Sequence, residues 1–117
     1  MSEAPVNQAT LDELIQSTDA DFVKDLIDTF LDDTPRLFGE MQQALAAHDP
    51  EVFRRAAHSL KSNSASFGAL RLSAQAKELE MLGKAGNLAA VGDRLASLAA
   101  EFDRVKEVLR NWQHGSR

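Results

Sequence analysis

Apolar residues recur along this chain at steps of three and four, the spacing that puts them on one face of a helix. Thr10, with Glu13 three residues on, reads as a capping box that opens a short helix through about Gln16. A second helix is expected from about Asp19 to Asp33, with Phe22, Leu26, Ile27 and Phe30 inward. Thr34-Pro35 suits an N-cap followed by proline in the first turn, which starts a third helix ending near Ala47, with Leu37, Met41, Ala44 and Leu45 inward. Asp49-Pro50 repeats that signal. It opens a fourth helix that stops at Phe67-Gly68, where glycine can take the left-handed cap conformation. A fifth runs from about Leu70 to Lys84, with Leu72, Ala76, Leu79 and Leu82 or Gly83 inward, and ends at Gly86-Asn87. The sixth, about Leu88 to Trp112, carries Leu88, Val91, Leu95, Leu98, Phe102, Val105, Leu109 and Trp112 as a continuous seam.

Connections this short force successive helices to run antiparallel. The expected fold is all-α: an up-down antiparallel four-helix bundle made by the third to sixth helices, with two additional N-terminal helices packed on one end or side. Residues 1–9 lack periodicity and are expected to be a flexible tail, leaving 10–113 as a single domain.

Composition narrows the function. Tyrosine and cysteine are absent and helix formers are abundant. Without cysteine there is no disulfide framework or thiolate metal site. A net charge of −5 argues against nucleic acid as the main partner. No apolar run reaches membrane-spanning length and the first residues do not read as a secretory signal, so the expected compartment is the cytoplasm, with no membrane partner. The chain is expected to be a monomer. The start at Met1 and the polar end at His114-Gly115-Ser116-Arg117 favour a free-standing protein.

The chemistry centres on His58. Phe53, Ala57, Leu60, Ser64 and Phe67 share the buried stripe of its helix, and His58 points away from that stripe, toward water. Arg54 and Arg55 lie one turn before it, and Lys61 and Ser62 one turn after; Ala65 lies two turns on. A neutral imidazole nitrogen is a competent nucleophile near neutrality, since an unperturbed histidine titrates at about 6.5. Phosphoryl transfer needs positioning and charge neutralisation more than acid–base groups. Lys61 can reach phosphoryl oxygens, while Ser62 and Ala65 keep the surface flat for a second protein. Stepping about 11 residues back from the turn near Gly68-Ala69, at ~1.5 Å each, returns to the height of His58 at Glu80. A carboxylate there would accept a hydrogen bond from Nδ1–H and leave Nε2 as the nucleophile. Lys84 and Lys77 could add positive charge. His48 and His114 read as plain surface residues.

The run His58-Ser59-Leu60-Lys61-Ser62-Asn63-Ser64, followed by Phe67-Gly68-Ala69, closely resembles the signature of histidine-containing phosphotransfer (HPt) domains. That signature reads His-x-Leu-Lys-Gly-Ser-Ser, then a short gap, an apolar residue and Gly-Ala. The departure is Ser62, where the family usually has glycine. The resemblance implies a phosphoryl carrier without kinase or ATP-binding equipment, not an enzyme in its own right. His58 would take a phosphoryl group from the aspartyl phosphate of a receiver domain and pass it to another. It implies response-regulator receivers and a hybrid sensor kinase as partners, no cofactor on this chain, and Mg²⁺ on the receiver. Arg54, Arg55, Ala65 and Gly68 would then belong to the docking interface.

Three other readings fit less well. A histidine-kinase dimerisation helix usually has an acidic residue directly after the histidine and proline a turn later, where this chain has Ser59 and Ser62. A metal-binding bundle needs paired Glu-x-x-His motifs facing the core. A plain docking module would leave His58 incidental.

Overall fold

The computed structural model describes residues 5–115, with side chains through Gln113. Residues 1–4 of the expected tail, residues 116–117 and the side chain of His114 lie outside the described residues. The elements are α1 (Gln8–Ser17), α2 (Ala20–Ala46), α3 (Pro50–Ser66), α4 (Leu70–Lys84), a 3₁₀ turn (Leu88–Ala90) and α5 (Arg94–Gly115). Helices α2 to α5 form the up-down bundle, and α1 lies against one end. Among the described residues no helix is long and apolar enough to cross a membrane.

Four sequence expectations are corrected. The second and third helices are one continuous helix, α2, with Pro35 inside it. Its buried positions Val23, Ile27, Phe30, Leu31, Thr34, Leu37, Met41 and Ala44 stay in phase across the proline, so one stripe packs throughout. Pro35 itself is exposed, and the Thr34 hydroxyl donates to the Phe30 carbonyl at 2.7 Å beside the break in the backbone ladder. The bundle therefore carries one additional N-terminal helix rather than two. Phe22 is exposed and Val23 takes the inward place. At the N-terminus, α1 is capped by Asn7 rather than Thr10: the Asn7 side chain accepts from Thr10 N–H, and Val6 is buried, so residues 6–9 belong to the folded unit. The last helix starts at Arg94, not Leu88, because the chain turns at Gly92, where φ is +51°.

The turns that bring the helices together share one device. After α3, Gly68 N–H bonds Ala65 O at 3.0 Å and Ala69 N–H bonds Ser64 O at 3.0 Å, the paired bonds of a Schellman cap. The same pairing closes α2, where His48 takes the left-handed position at φ +54°. Asp49 then caps α3 directly, its carboxylate accepting from Val52 N–H. His48 is thus a turn residue, exposed as expected. Turns of so few residues leave the long antiparallel pairs little freedom of register.

The core runs the length of the bundle. Ile27, Met41, Phe53, Leu60, Leu72, Leu79, Leu98 and Leu109 are among its fully buried side chains, each contributing about 1.5–3 kcal/mol on burial. At the α1 end Phe30 packs on Phe67, with ring centroids 5.1 Å apart, and on Phe102 at 6.0 Å.

Gly68 locks this end. Its φ is +73°, Asn7 N–H donates to its carbonyl at 2.7 Å, and an added Cβ would come within 2.8 Å of Thr10 Cβ and 2.9 Å of the Asn7 carbonyl. Gly68→Ala should therefore lower stability by about 2 kcal/mol or more, from left-handed strain and a backbone clash together. Urea denaturation checks this, and an unchanged midpoint would contradict it.

Candidate functional site

His58 lies in the third turn of α3, on the ridge opposite the stripe of Phe53, Ala57, Leu60 and Ser64 that is buried in the core. The ring is half exposed, with 53% of its side-chain surface accessible. One side of the ridge faces α4. There the Glu80 carboxylate reaches across, with Oε2 2.7 Å from His58 Nδ1 and Oε1 2.8 Å from Lys61 Nζ. Glu80 is 16% exposed, so its carboxylate is largely shielded between the two helices although the His58 ring it meets is half open to water.

The carboxyl of Glu80 is held below its ordinary value. Its hydrogen bond from Lys61 is the largest cause, opposed by burial and reinforced by the hydrogen bond with His58. An ionised carboxylate only accepts hydrogen bonds, so the proton between the two side chains sits on His58 Nδ1. That tautomer leaves the Nε2 lone pair free and pointed outward. The arrangement can present a neutral nucleophile, and it places a fixed negative charge behind the ring when the ring becomes positive.

The backbone under the site is clasped as well. The Ser73 hydroxyl of α4 donates to the Lys61 carbonyl of α3 at 2.9 Å. Arg54 turns toward the same seam and is half buried, its guanidinium hydrogen-bonded to Glu51.

The other side of the ridge faces α2. A polar groove of about 550 Å³ lies there, and Arg36, Glu40, Arg55, His58, Ser59 and Ser62 are among its lining residues. Arg36 donates to Glu40 at 2.6 Å. A second, more apolar groove of about 310 Å³ continues from it at Asn63, lined by Leu14, Leu26, Phe30 and Phe67 among others. Ser62, which lines the first groove, and Ala65 are exposed on the ridge.

The structure thus brings together His58, Lys61 and Glu80, and it leaves Arg55, Ser62 and Ala65 on the open face. It separates three other residues from that group. Lys84 is exposed in the last turn of α4 and makes no ion pair with Glu80; Lys61, from the adjoining helix, takes that place. Gly68 is buried under α1, ten positions from His58 along the chain, so it is a folding residue and not part of an exposed interface. Arg54 faces the α3–α4 seam more than the open side. Apolar side chains such as Leu31 or Phe38 are expected from the sequence to stay partly exposed nearby as an anchor for a partner; Leu31 is instead buried, while Phe38 is partly exposed and packs edge-on against Phe102 at 5.6 Å. Sequence reasoning missed Arg36 and Glu40. Their place beside His58 depends on how α2 packs against α3, which spacing along a single helix does not show.

Residues 25–108 match the Hpt domain family. The chain belongs to that family. Among its relatives is the phosphorelay protein LuxU of Vibrio harveyi, 28% identical over 112 residues, covering 96% of this chain and 98% of the relative. The crystal structure of histidine-containing phosphotransfer protein B from Pseudomonas aeruginosa PAO1 superposes with a TM-score of 0.91 at 28% identity, covering 99% of this chain and 100% of that one. Both likenesses span this Hpt domain from end to end, α1 included.

The lowered Glu80 carboxyl has a consequence for stability. A group whose folded pKa is depressed stabilises the fold fully above its unfolded value and loses that contribution as pH falls through the folded one. Glu80→Gln should therefore be less stable than wild type near neutrality, with the gap closing as pH drops below about 4.5. Thermal midpoints of both proteins across the acid range check this, and a gap that stays constant with pH would contradict it.

Proposed function

We propose that this Hpt domain is a phosphorelay intermediate that carries a phosphoryl group on His58 Nε2. The observation that carries the reading is the 2.7 Å contact between His58 Nδ1 and a carboxylate that Lys61 keeps ionised. It fixes the tautomer and aims the free nitrogen at solvent, where a second protein can present phosphorus. Membership of the Hpt domain family and the likeness to a phosphorelay protein support it.

The donor is the aspartyl phosphate of a response-regulator receiver, with a hybrid sensor kinase upstream. Nε2 attacks phosphorus in line: the N–P bond forms, the P–O bond to the aspartate breaks, and its electron pair leaves with the receiver's carboxylate. As Nε2 shares its lone pair the ring acquires positive charge, with Nδ1–H still in place, and the Glu80 carboxylate faces that charge. Lys61 Nζ, already beside the site, turns to the phosphoryl oxygens and supplies a charge-assisted hydrogen bond worth about 1.5–3 kcal/mol. Reversal onto a second receiver uses the same groups. The chain needs no cofactor for this step; Mg²⁺ belongs to the receiver, and the domain works as a monomer in the cytoplasm.

The receiver docks across the ridge. Ser62 and Ala65 keep it flat, Arg55 and Arg36 border the polar groove, and Leu14 and Leu26 border the apolar one. Together these grooves offer polar contacts beside the nucleophile and apolar contacts further along α3.

Two experiments test the reading. Incubation with a phosphorylated receiver should put acid-labile, base-stable label on wild type and none on His58→Gln, while the fold stays within about ±0.5 kcal/mol of wild type. Label that persists on the variant would falsify the assignment. For the docking face, Ser62→Gln and Ala65→Gln should keep wild-type helicity and thermal midpoint yet accept phosphate much more slowly; normal transfer by both would move the interface elsewhere.

A further inference from the structure

Glycine in the interior of a helix is unfavourable relative to alanine, so its presence there calls for a packing reason. Two glycines sit inside helices of this bundle, and they differ. Around Gly39 of α2 an added Cβ would meet nothing within 4 Å. Around Gly83 of α4 it would meet the Cα, Cβ and N of Arg54 on α3, all at 3.1 Å. Two of those atoms are backbone, so the strain cannot be relieved by rotating a side chain; the helices themselves must separate by a few tenths of an ångström.

The location of this contact matters. Gly83 lies one turn beyond Glu80 on α4, and Arg54 lies one turn before His58 on α3. Because the helices run antiparallel, this close backbone approach sits one turn from the bridge between Glu80, His58 and Lys61. Glu80 must span the seam with a side chain of fixed length and satisfy both partners at once, at 2.7 and 2.8 Å. On the other side of the bridge the Ser73 hydroxyl holds α4 to the Lys61 carbonyl. The bridge is therefore framed between a hydrogen-bonded clasp and a glycine contact.

We infer that Gly83 is a positioning residue, setting the α3–α4 spacing at which one Glu80 carboxylate engages both His58 and Lys61. It touches neither the nucleophile nor any phosphoryl group. Its link to phosphoryl transfer rests on the reading of His58 given above, whereas the spacing itself is measurable without any partner.

The test compares Gly83→Ala with Gly39→Ala in the full chain. Both put alanine inside a helix, so both carry the same gain in helix propensity, and a displacement of a few tenths of an ångström leaves the bundle folded. In Gly83→Ala the Glu80 carboxyl should titrate nearer the ordinary glutamate value by ¹³C NMR, because its contacts with Lys61 and His58 are loosened. The ¹⁵N shifts of His58 should move from a single tautomer toward a mixture. Gly39→Ala should reproduce wild type in both. Transfer from a phosphorylated receiver should slow roughly three- to tenfold in Gly83→Ala, the size expected for sub-ångström misplacement of a reacting group. In a Glu80→Gln background the same substitution should add little, since both act through one contact. A Glu80 titration and His58 tautomer unchanged in Gly83→Ala would overturn the inference. Altered NMR behaviour together with no uptake of phosphate by wild type would uphold the spacing role and overturn the reading of His58 instead.

Discussion

One carboxylate holds the functional end of this molecule together. Glu80 bridges the histidine and the lysine of the neighbouring helix, and each contact makes the other possible. Lys61 keeps the carboxylate charged although it is largely withdrawn from water. The charged carboxylate in turn dictates where the imidazole carries its proton. Without the lysine, a half-buried glutamate beside a neutral ring would lose much of its reason to stay ionised. Without the glutamate, the imidazole would be free to rotate and to exchange tautomers. The orientation of the His58 ring is set by a pairing made from two helices, and neither helix could set it alone.

That dependence puts the burden on the packing of α3 against α4, the most extensive helix pairing in the fold. The two helices are joined by a Schellman turn with Gly68 at its left-handed position, and the turn is pinned from outside by Asn7. Register is set at the turn and carried up the seam by Leu60, Leu72, Ala76 and Leu79, all without solvent exposure. Errors in register would be discrete, because a buried stripe that slips by one residue turns its apolar side chains to water. The ridge bearing His58 thus inherits its rigidity from a core that extends well beyond it.

The two flanks of the ridge divide the work. Toward α4 the site is narrow and closed, and it tunes the ring. Toward α2 it is open, polar near His58 and apolar further along. A surface of this kind lets a partner approach the outward nitrogen without disturbing the groups that orient it. The separation follows from helix geometry: His58 sits at the crest, with Lys61 on one slope and Ser59 and Ser62 on the other.

Much of this was legible in the chain itself. Helix periodicity, the Asp49-Pro50 start and the Gly68 stop located α3 and α4 nearly to the residue, because caps and left-handed positions are local events decided by a few neighbouring atoms. His58 stood out for the same reason, as one helix turn fixes what lies beside it, and counting rise per residue across a short turn reached Glu80. Where local signals competed with long-range packing, they misled. Thr34-Pro35 has the form of a helix start, yet an exposed proline inside a stripe buried on both sides was absorbed, since the core contacts of a long helix outweigh one missing backbone hydrogen bond. Phe22 and Leu31 exchanged their expected exposure because the true phase of α2 is set by what it packs against. Spacing along the chain placed Lys61 beside His58 and Lys84 near Glu80, but the ion pair between Lys61 and Glu80 appears only once the two helices are packed. The sequence by itself determined the all-helical class, most helix ends and the place of His58 on its helix, for these rest on local backbone and side-chain chemistry. Tertiary structure alone decided which charges meet across the seam and how closely, for a contact between helices depends on the relative placement of two backbones that no single stretch of sequence encodes.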